Sequence, residues 1–191
     1  ESIEEIYKGI KLACDTYQVD LVGGDTTASP KGLVISITAI GTQKLEKIVK
    51  RSGAKPGDYI YVSGDLGAAY LGLQLLEREK KIYMEHPQLQ PQLNENKYLI
   101  ERILKPEARK DIIRLLAHAN VLPTAMIDLS DGLSSDLMHI CKQSGTGALL
   151  EEDKVPINPE AEQMAIEFHL DPITCALNGG EDYELLFCIS P

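Results

Sequence analysis

The sequence predicts an α+β fold for this chain of 191 residues, which is long enough for one domain or for parts of two. The prediction depends on two observations. Hydrophobic residues make up 43% and charged residues 25% of the chain, which is ordinary for a folded protein and argues against disorder. Apolar residues recur at helical spacing in some segments and alternate along others, so helices and strands are both expected.

The first part of the chain is predicted to contain one helix and two strands. Residues 2–18 place Ile6, Ile10 and three further apolar side chains on one face, which predicts an amphipathic helix. A short strand is predicted within residues 20–25, which run into a glycine turn. Residues 33–40 alternate with one fully apolar face, a pattern typical of a strand. A helix followed by two strands is the start of an α+β unit.

Strands and helices continue to alternate through the rest of the chain. The segment 51–58 contains two glycines and a proline, and we place a domain boundary near residues 45–50. A long exposed connection is predicted at 79–97, and a helix at 107–119 with Ile113 among its inward side chains. The other predicted elements are a strand at 59–62, a helix at 67–78, a strand at 124–128, a helix beginning near Leu133, a strand at 147–150, a helix at 159–168 and a strand at 183–189.

The charge of the chain argues against nucleic acids and anionic membranes as partners. Lys and Arg number 19 against 29 Asp and Glu, a formal net charge of −10, and the sequence has no basic run that would follow a phosphate backbone. An acidic protein can still bind an anionic ligand when divalent metal ions lie between the ligand and the carboxylates.

The cysteines and the hydropathy pattern predict a cytoplasmic protein. The four cysteines are widely spaced, form no C-x-x-C pair and are interpreted as free thiols in a reducing compartment. No apolar stretch of the sequence approaches the roughly 20 residues that span a bilayer.

Acidic residues stand at three places where a predicted strand meets a glycine turn or a helix start. They are Asp25, Asp128 with Asp131, and Glu181 with Asp182. Neighbouring strands of one sheet present their ends about 5 Å apart, so we expect these carboxylates to lie close together. Mg²⁺ takes one or two such groups per ion, with water and phosphate in its remaining positions. The pattern therefore predicts a site for magnesium and phosphate.

Asp128 and Asp131 lie three residues apart, with Ser130 between them. The spacing lets both carboxylates face one ion, while Ser130 and the free N–H groups at the helix start meet a phosphate oxygen. The alternative is that Ser130 or Asp131 caps the helix, which is common for these residue types. Gly132 is unfavourable inside a helix and indicates a close backbone approach, which favours the functional interpretation. Asp136 is interpreted as a surface or capping residue.

The remaining motifs also have structural alternatives. Taken alone, Gly24 and Asp25 are better explained by a turn closed by an Asx hydrogen bond, and Glu181 by a loop that enters a strand. Arg51 could contact phosphate or remain solvated. The sequence has no P-loop, dinucleotide-binding glycine motif, nucleophile elbow or kinase H-R-D triplet, and its four histidines are scattered. Phosphate binding is therefore expected to depend on metal ions.

Four motifs, in this order along the chain, together resemble the thiamine-monophosphate kinase family. This family belongs to the superfamily of aminoimidazole ribonucleotide synthetase, selenophosphate synthetase and the hydrogenase-maturation dehydratase. The motifs are Gly-Gly-Asp-Thr-Thr at 23–27, Arg-Ser-Gly-Ala-Lys-Pro-Gly-Asp at 51–58, Met-Ile-Asp-Leu-Ser-Asp-Gly-Leu at 126–133 and Asn-Gly-Gly-Glu-Asp-Tyr-Glu-Leu at 178–185.

The resemblance implies a division of the chain into parts of two domains. Residues 1–47 would be the C-terminal part of an N-terminal α/β domain that binds ATP and Mg²⁺. Residues 48–191 would be a truncated C-terminal domain, with a mixed sheet of the aminoimidazole ribonucleotide synthetase type. The resemblance also implies that the full-length protein is a homodimer and that this piece is inactive alone.

The resemblance implies that ATP and Mg²⁺ are used to phosphorylate thiamine monophosphate to the diphosphate. Arg51 would add positive charge to the transferring group. The implied site residues are Asp25, Asp128 and Asp131 for Mg²⁺, Gly24, Asp25, Arg51 and Ser130 for ATP, and Glu181 for the thiamine phosphate.

Two other functions stay open at this point. One is an ATP-dependent enzyme of the same superfamily that acts on another acceptor. The other is a non-catalytic module that binds a nucleotide or a metal.

Overall fold

The computed structural model describes residues 2–191, which divide into two compact units, Glu1–Lys44 and Leu45–Pro191. No helix among these described residues is both long and apolar enough to cross a membrane. The four cysteines are all free thiols, as the sequence predicts.

The first unit begins with helix α1, Ser2–Tyr17, which confirms the predicted helix. Its half-buried side chains include Ile6, Ile10 and Cys14, spaced four residues apart, so one face of the helix is partly protected from solvent. The chain leaves the helix through a hydrogen bond from the Val19 N–H to the Cys14 carbonyl, at 3.1 Å.

The two strands predicted in the first unit are wrong. Within the described residues of this unit, α1 is followed by irregular backbone and a turn near Gly32. Leu33, Ile35 and Ile37 are all exposed. A strand requires a hydrogen-bonded neighbour, and alternation of apolar residues alone does not supply one.

The second unit contains a three-stranded antiparallel sheet. Its strands are β1 (Tyr59–Val62), β2 (Ala125–Leu129) and β3 (Glu184–Ile189), and β3 lies between the other two. Leu186 of β3 pairs with Val62 of β1 on one side and with Ile127 of β2 on the other. The strands predicted at 59–62, 124–128 and 183–189 are confirmed, and the α+β class with them, but the sheet formed by these described strands is antiparallel and not the expected mixed sheet.

Six helices surround this sheet and its connections. Helix α2 is longer than the predicted 67–78 because it continues through residues predicted as an exposed connection. The helices are α2 (Ala68–Glu85), α3 (Lys97–Leu104), α4 (Lys110–His118), α5 (Leu133–Ser144), α6 (Pro159–Glu167) and α7 (Pro172–Asn178).

Three details of the second unit differ from the prediction. Helix α4 has no buried residue, and Ile113, predicted to face inward, is 48% exposed. The strand predicted at 147–150 is irregular backbone with Leu149 exposed. Helices α3 and α7 were not predicted, although Asp171 before Pro172 is a helix-start signal, and its carboxylate accepts the Thr174 N–H.

Two hydrophobic clusters form the core of the second unit. The first packs α5 and α7 against one face of the sheet, with Leu129, Leu137 and Leu186 at its centre. The second lies among the helices and is formed by α2, α3, α6 and α7, with Leu75 and Leu99 fully buried. Helix α7 contributes to both clusters and so joins the sheet to the helices.

Candidate functional site

Strand β2 positions the first part of the candidate site. Ile127 and Leu129 are buried, so the alternation of the strand turns the Asp128 side chain to the opposite, solvent-facing side. Ser130 and Asp131 follow in the turn before α5, and Asp131 is exposed. The strand therefore delivers an exposed carboxylate at its end, as the sequence predicts.

A buried carboxylate shapes the turn at Ser130 and Asp131. The N–H groups of both residues donate to Oδ2 of Asp136, each at 3.1 Å, and Asp136 is only 2% exposed. These two N–H groups are thus already engaged, which corrects the expectation that they are free for a phosphate oxygen. Asp136 does cap this turn, but it is buried and not a surface residue.

The alternative that Ser130 or Asp131 caps the helix is wrong. The N-cap of α5 is Gly132, and no side chain caps it. Gly132 has φ 112°, and a Cβ atom there would lie 2.9 Å from the Leu177 carbonyl oxygen of α7. The predicted close backbone approach is therefore present, but the neighbour is the end of a helix.

The structure brings the motif at 178–185 against this turn. The Glu181 N–H donates to the Ser130 carbonyl and the Tyr183 N–H donates to the Leu129 carbonyl, both at 2.8 Å. A Cβ atom at Gly180 would lie 2.8 Å from the Ser130 carbonyl oxygen, so a larger residue there would push the two segments apart. The segment is a loop that enters a strand, and it also places Glu181 beside the β2 turn.

Several negative charges surround one phenol at this place. The Tyr183 hydroxyl donates to Oε2 of Glu181 at 3.0 Å. This hydrogen bond, together with the charges of Glu181, Asp128 and Asp131, raises the pKa of Tyr183.

Arg51 lies at the edge of the same site. Its Nη2 is 3.7 Å from Oδ1 of Asp128, and the two side chains are 52% and 53% exposed. The segment is tied to β2 by a hydrogen bond from the Met126 N–H to the Lys50 carbonyl, at 2.9 Å. An exposed pair of this kind contributes little stability, so both charges remain available to a ligand.

Gly24 and Asp25 belong to the first unit, in exposed irregular backbone. The second unit by itself brings together Arg51, Asp128 and Glu181 of the predicted set, along with the turn that carries Ser130 and Asp131.

The donors at this site fit magnesium. Asp128, Asp131 and Glu181 supply exposed carboxylate oxygens, and Mg²⁺ is usually held by one or two carboxylates plus water and substrate phosphates. Among residues 2–191, no three His, Cys, Asp or Glu side chains form a group that could hold a metal ion, so water and substrate phosphate would have to complete its shell. A small set of oxygen donors beside an arginine suits an ion that also binds phosphate.

Asp182, predicted among the acidic residues of the site, faces the interior instead. Its carboxylate accepts the N–H groups of Gly67 and Ala69 at the start of α2, at 2.9 and 3.4 Å. Arg102 lies 3.7 Å away. Burial outweighs these contacts and raises the pKa of Asp182 to about 6.

A second buried carboxylate, Glu184, binds two arginines that the sequence analysis did not single out. Arg102 lies 2.8 Å and Arg109 3.3 Å from the Glu184 carboxylate, which also accepts the Ser63 hydroxyl at 2.6 Å. One signal in the sequence could have located Glu184. It shares the parity of the buried Leu186, so alternation along β3 places it on the inner face.

Comparison with known proteins places these motifs in a known family. Residues 1–43 match the description AIR synthase related protein, N-terminal domain, and residues 55–191 match the C-terminal domain of the same description. The chain is 38% identical over 185 residues to the thiamine-monophosphate kinase of Aquifex aeolicus (strain VF5), across 97% of this chain and 56% of that protein. It is 38% identical over 176 residues to that of Escherichia coli (strain K12), across 91% of this chain and 49% of that protein.

The fold is similar to a solved structure described as AaThiL complexed with AMPPCP and TMP. The TM-score is 0.76 at 32% identity, across 98% of this chain and 56% of that chain. The chain spans about half the length of the curated relatives it matches.

Proposed function

Because the chain belongs to the AIR synthase related protein family, through both its N-terminal and its C-terminal domain, we propose that it is part of a thiamine-monophosphate kinase. The full-length enzyme transfers a phosphate from ATP to thiamine monophosphate in the presence of Mg²⁺. One observation carries the proposal: the Glu181–Tyr183 segment is hydrogen-bonded to the end of β2 and to the turn after it, next to the Asp128 carboxylate that lies 3.7 Å from Arg51. The relatives named thiamine-monophosphate kinase support the choice of acceptor.

The proposed roles follow the chemistry of each side chain. Exposed carboxylates suit a hard cation, an arginine suits a phosphate, and the Ser130 hydroxyl is a small donor beside both. Glu181 can approach a phosphate only across a cation, because two anions repel each other. The roles are Mg²⁺ binding for Asp25, Asp128 and Asp131, ATP binding for Gly24, Asp25, Arg51 and Ser130, and contact with the thiamine phosphate for Glu181.

The reaction needs little acid–base chemistry from the chain. The attacking group is a phosphate oxygen that is already ionised at neutral pH, so no histidine has to act as a general base. The obstacle is repulsion between two anionic reactants, and magnesium bound at the carboxylates supplies the neutralising charge. Arg51 adds a fixed positive charge next to the transferring group, and the rigid turn at Ser130 holds the carboxylates in place.

The proposal extends to the organisation of the enzyme. Residues 1–47 are proposed to be the C-terminal part of the domain that binds ATP and Mg²⁺, and residues 48–191 a truncated C-terminal domain. We propose that the enzyme is a cytoplasmic homodimer. Its partners are proposed to be small molecules, because the net charge of −10 opposes binding to nucleic acids or anionic membranes.

The test is formation of thiamine diphosphate by the full-length enzyme with ATP and Mg²⁺. Asp128→Asn is expected to lower kcat at least about a hundredfold, the order of effect seen when a group that stabilises transition-state charge is removed. The matched control is Asp153→Asn, since Asp153 is exposed and lies outside the site. The 191-residue chain alone is expected to be inactive.

Each contrary outcome points to a different function. Lack of product from thiamine monophosphate, with turnover of another acceptor in a substrate panel, would assign the chain to a related enzyme. Binding of ATP or Mg²⁺ without turnover of any acceptor would indicate a non-catalytic module.

A further inference from the structure

The segment Glu181–Tyr183 has an unusual backbone. Glu181 has φ 61° and Tyr183 has φ 50°, both in the left-handed region that residues with a side chain seldom adopt. Backbone of this kind persists only where surrounding contacts determine it, and it occurs often at binding sites.

Three hydrogen-bonded anchors hold this backbone. The N–H groups of Glu181 and Tyr183 are both bound to carbonyls at the end of β2, each at 2.8 Å. Between them, the buried Asp182 carboxylate accepts the Gly67 N–H at the start of α2, at 2.9 Å. The left-handed residues on either side of Asp182 let its side chain point inward while both neighbours point to the surface.

The result is an exposed pair of side chains. Tyr183 is 41% exposed, and its hydroxyl donates to Oε2 of Glu181 at 3.0 Å. A carboxylate attached to a flexible side chain has many orientations in solvent, and a bond at Oε2 limits the directions in which Oε1 can point. The phenol needs its proton for this, and a tyrosine, whose ordinary pKa is about 10, keeps that proton at neutral pH.

We infer that Tyr183 is a positioning residue, whose hydroxyl orients the Glu181 carboxylate toward thiamine monophosphate. This inference rests on the proposed function, because it takes Glu181 to be the group that contacts the substrate. Tyr183 itself need not touch the substrate. The buried Asp182 and the two backbone hydrogen bonds hold the backbone of Tyr183, and its hydroxyl in turn binds the Glu181 carboxylate.

The main test is Tyr183→Phe in the full-length enzyme, which removes one oxygen atom from an exposed ring. KM for thiamine monophosphate is expected to rise about three- to tenfold, as expected for loss of a partly exposed hydrogen bond to a charged group. KM for ATP is expected to change less than about twofold, because Arg51 and Ser130 are untouched. A merely structural role would move both KM values or neither.

Two further variants make the test specific. Tyr61→Phe is the matched control, since Tyr61 is similarly exposed and stacks on Phe187 with its ring centroid 5.8 Å away. It is expected to leave both KM values unchanged. In a Glu181→Gln background, Tyr183→Phe is expected to add little, because the hydroxyl acts through the carboxylate.

The outcomes separate this inference from the proposed function. Suppose that the unmodified enzyme converts thiamine monophosphate. The positioning role is then overturned, while the function stands, if Tyr183→Phe changes neither KM. It is also overturned if Tyr183→Phe has its full effect in the Glu181→Gln background. If the unmodified enzyme has no activity, crystal structures of both forms decide. A Glu181 carboxylate that keeps its place in the variant overturns the inference, and a displaced one supports it.

Discussion

Asp136→Ala removes the carboxylate that holds the turn at Ser130 and Asp131. Two N–H groups donate to its Oδ2 at 3.1 Å, and both lose a charged acceptor in the variant. A hydrogen bond to a charged group contributes about 1.5–3 kcal/mol, and these two share a single acceptor oxygen, so we expect a total loss at the lower end of their sum, about 3 kcal/mol. For a chain of 191 residues this lowers Tm by about 6–12 °C.

The assay is urea and thermal denaturation followed by circular dichroism, with two companion variants. Asp136→Asn keeps one oxygen, which can accept both hydrogen bonds without the negative charge, so its loss is expected to be about half as large. Asp153→Ala removes an exposed carboxylate from the same unit and is expected to change stability by less than about 0.5 kcal/mol. An Asp136→Ala protein as stable as the Asp153→Ala protein would show that the turn does not depend on this carboxylate.

Two further predictions concern the supports of the same site. The pKa of Asp182 is raised to about 6, so between its ordinary value and that pKa the folded chain binds a proton that the unfolded chain does not. Stability is therefore expected to fall as pH rises from about 4 to 6, by up to about 3 kcal/mol, and denaturation of Asp182→Asn across this range is expected to lack that fall. Gly132→Ala is expected to lower stability by about 2–3 kcal/mol in urea denaturation, because the new Cβ would have to occupy a left-handed backbone 2.9 Å from the Leu177 carbonyl. Gly147→Ala is the matched control, since nothing lies within 4 Å of its added Cβ, and equal losses in the two variants would contradict the packing argument.

The sheet of the second unit was predictable because its strands carry their own signals. Residues 125–127 form a short apolar run between a proline and a Ser-Asp-Gly turn, and the observed strand is Ala125–Leu129. The place of Asp128 near the end of that strand was predicted as well. These features are local, and a strand predicted from a local pattern forms when a neighbouring strand supplies its hydrogen bonds.

Features that depend on distant partners were not predictable. Residues 33–40 alternate as a strand does, yet no strand in residues 2–44 of the described structure pairs with them. Helix α3 follows a polar segment, and its place in the core depends on Leu99 reaching α2 and α6. The capping of Ser130 by Asp136 requires a turn geometry that spacing alone does not specify.

The order of the strands has a consequence for how the protein is made. β1 and β2 do not pair with each other, and each pairs only with β3, which comes last in the described chain. A ribosome delivers β1 and β2 first, and β3, which joins them, emerges only later. The joining of these three strands is then a late event of their assembly, and the loop after β2 acquires its bond from Glu181 only at that moment.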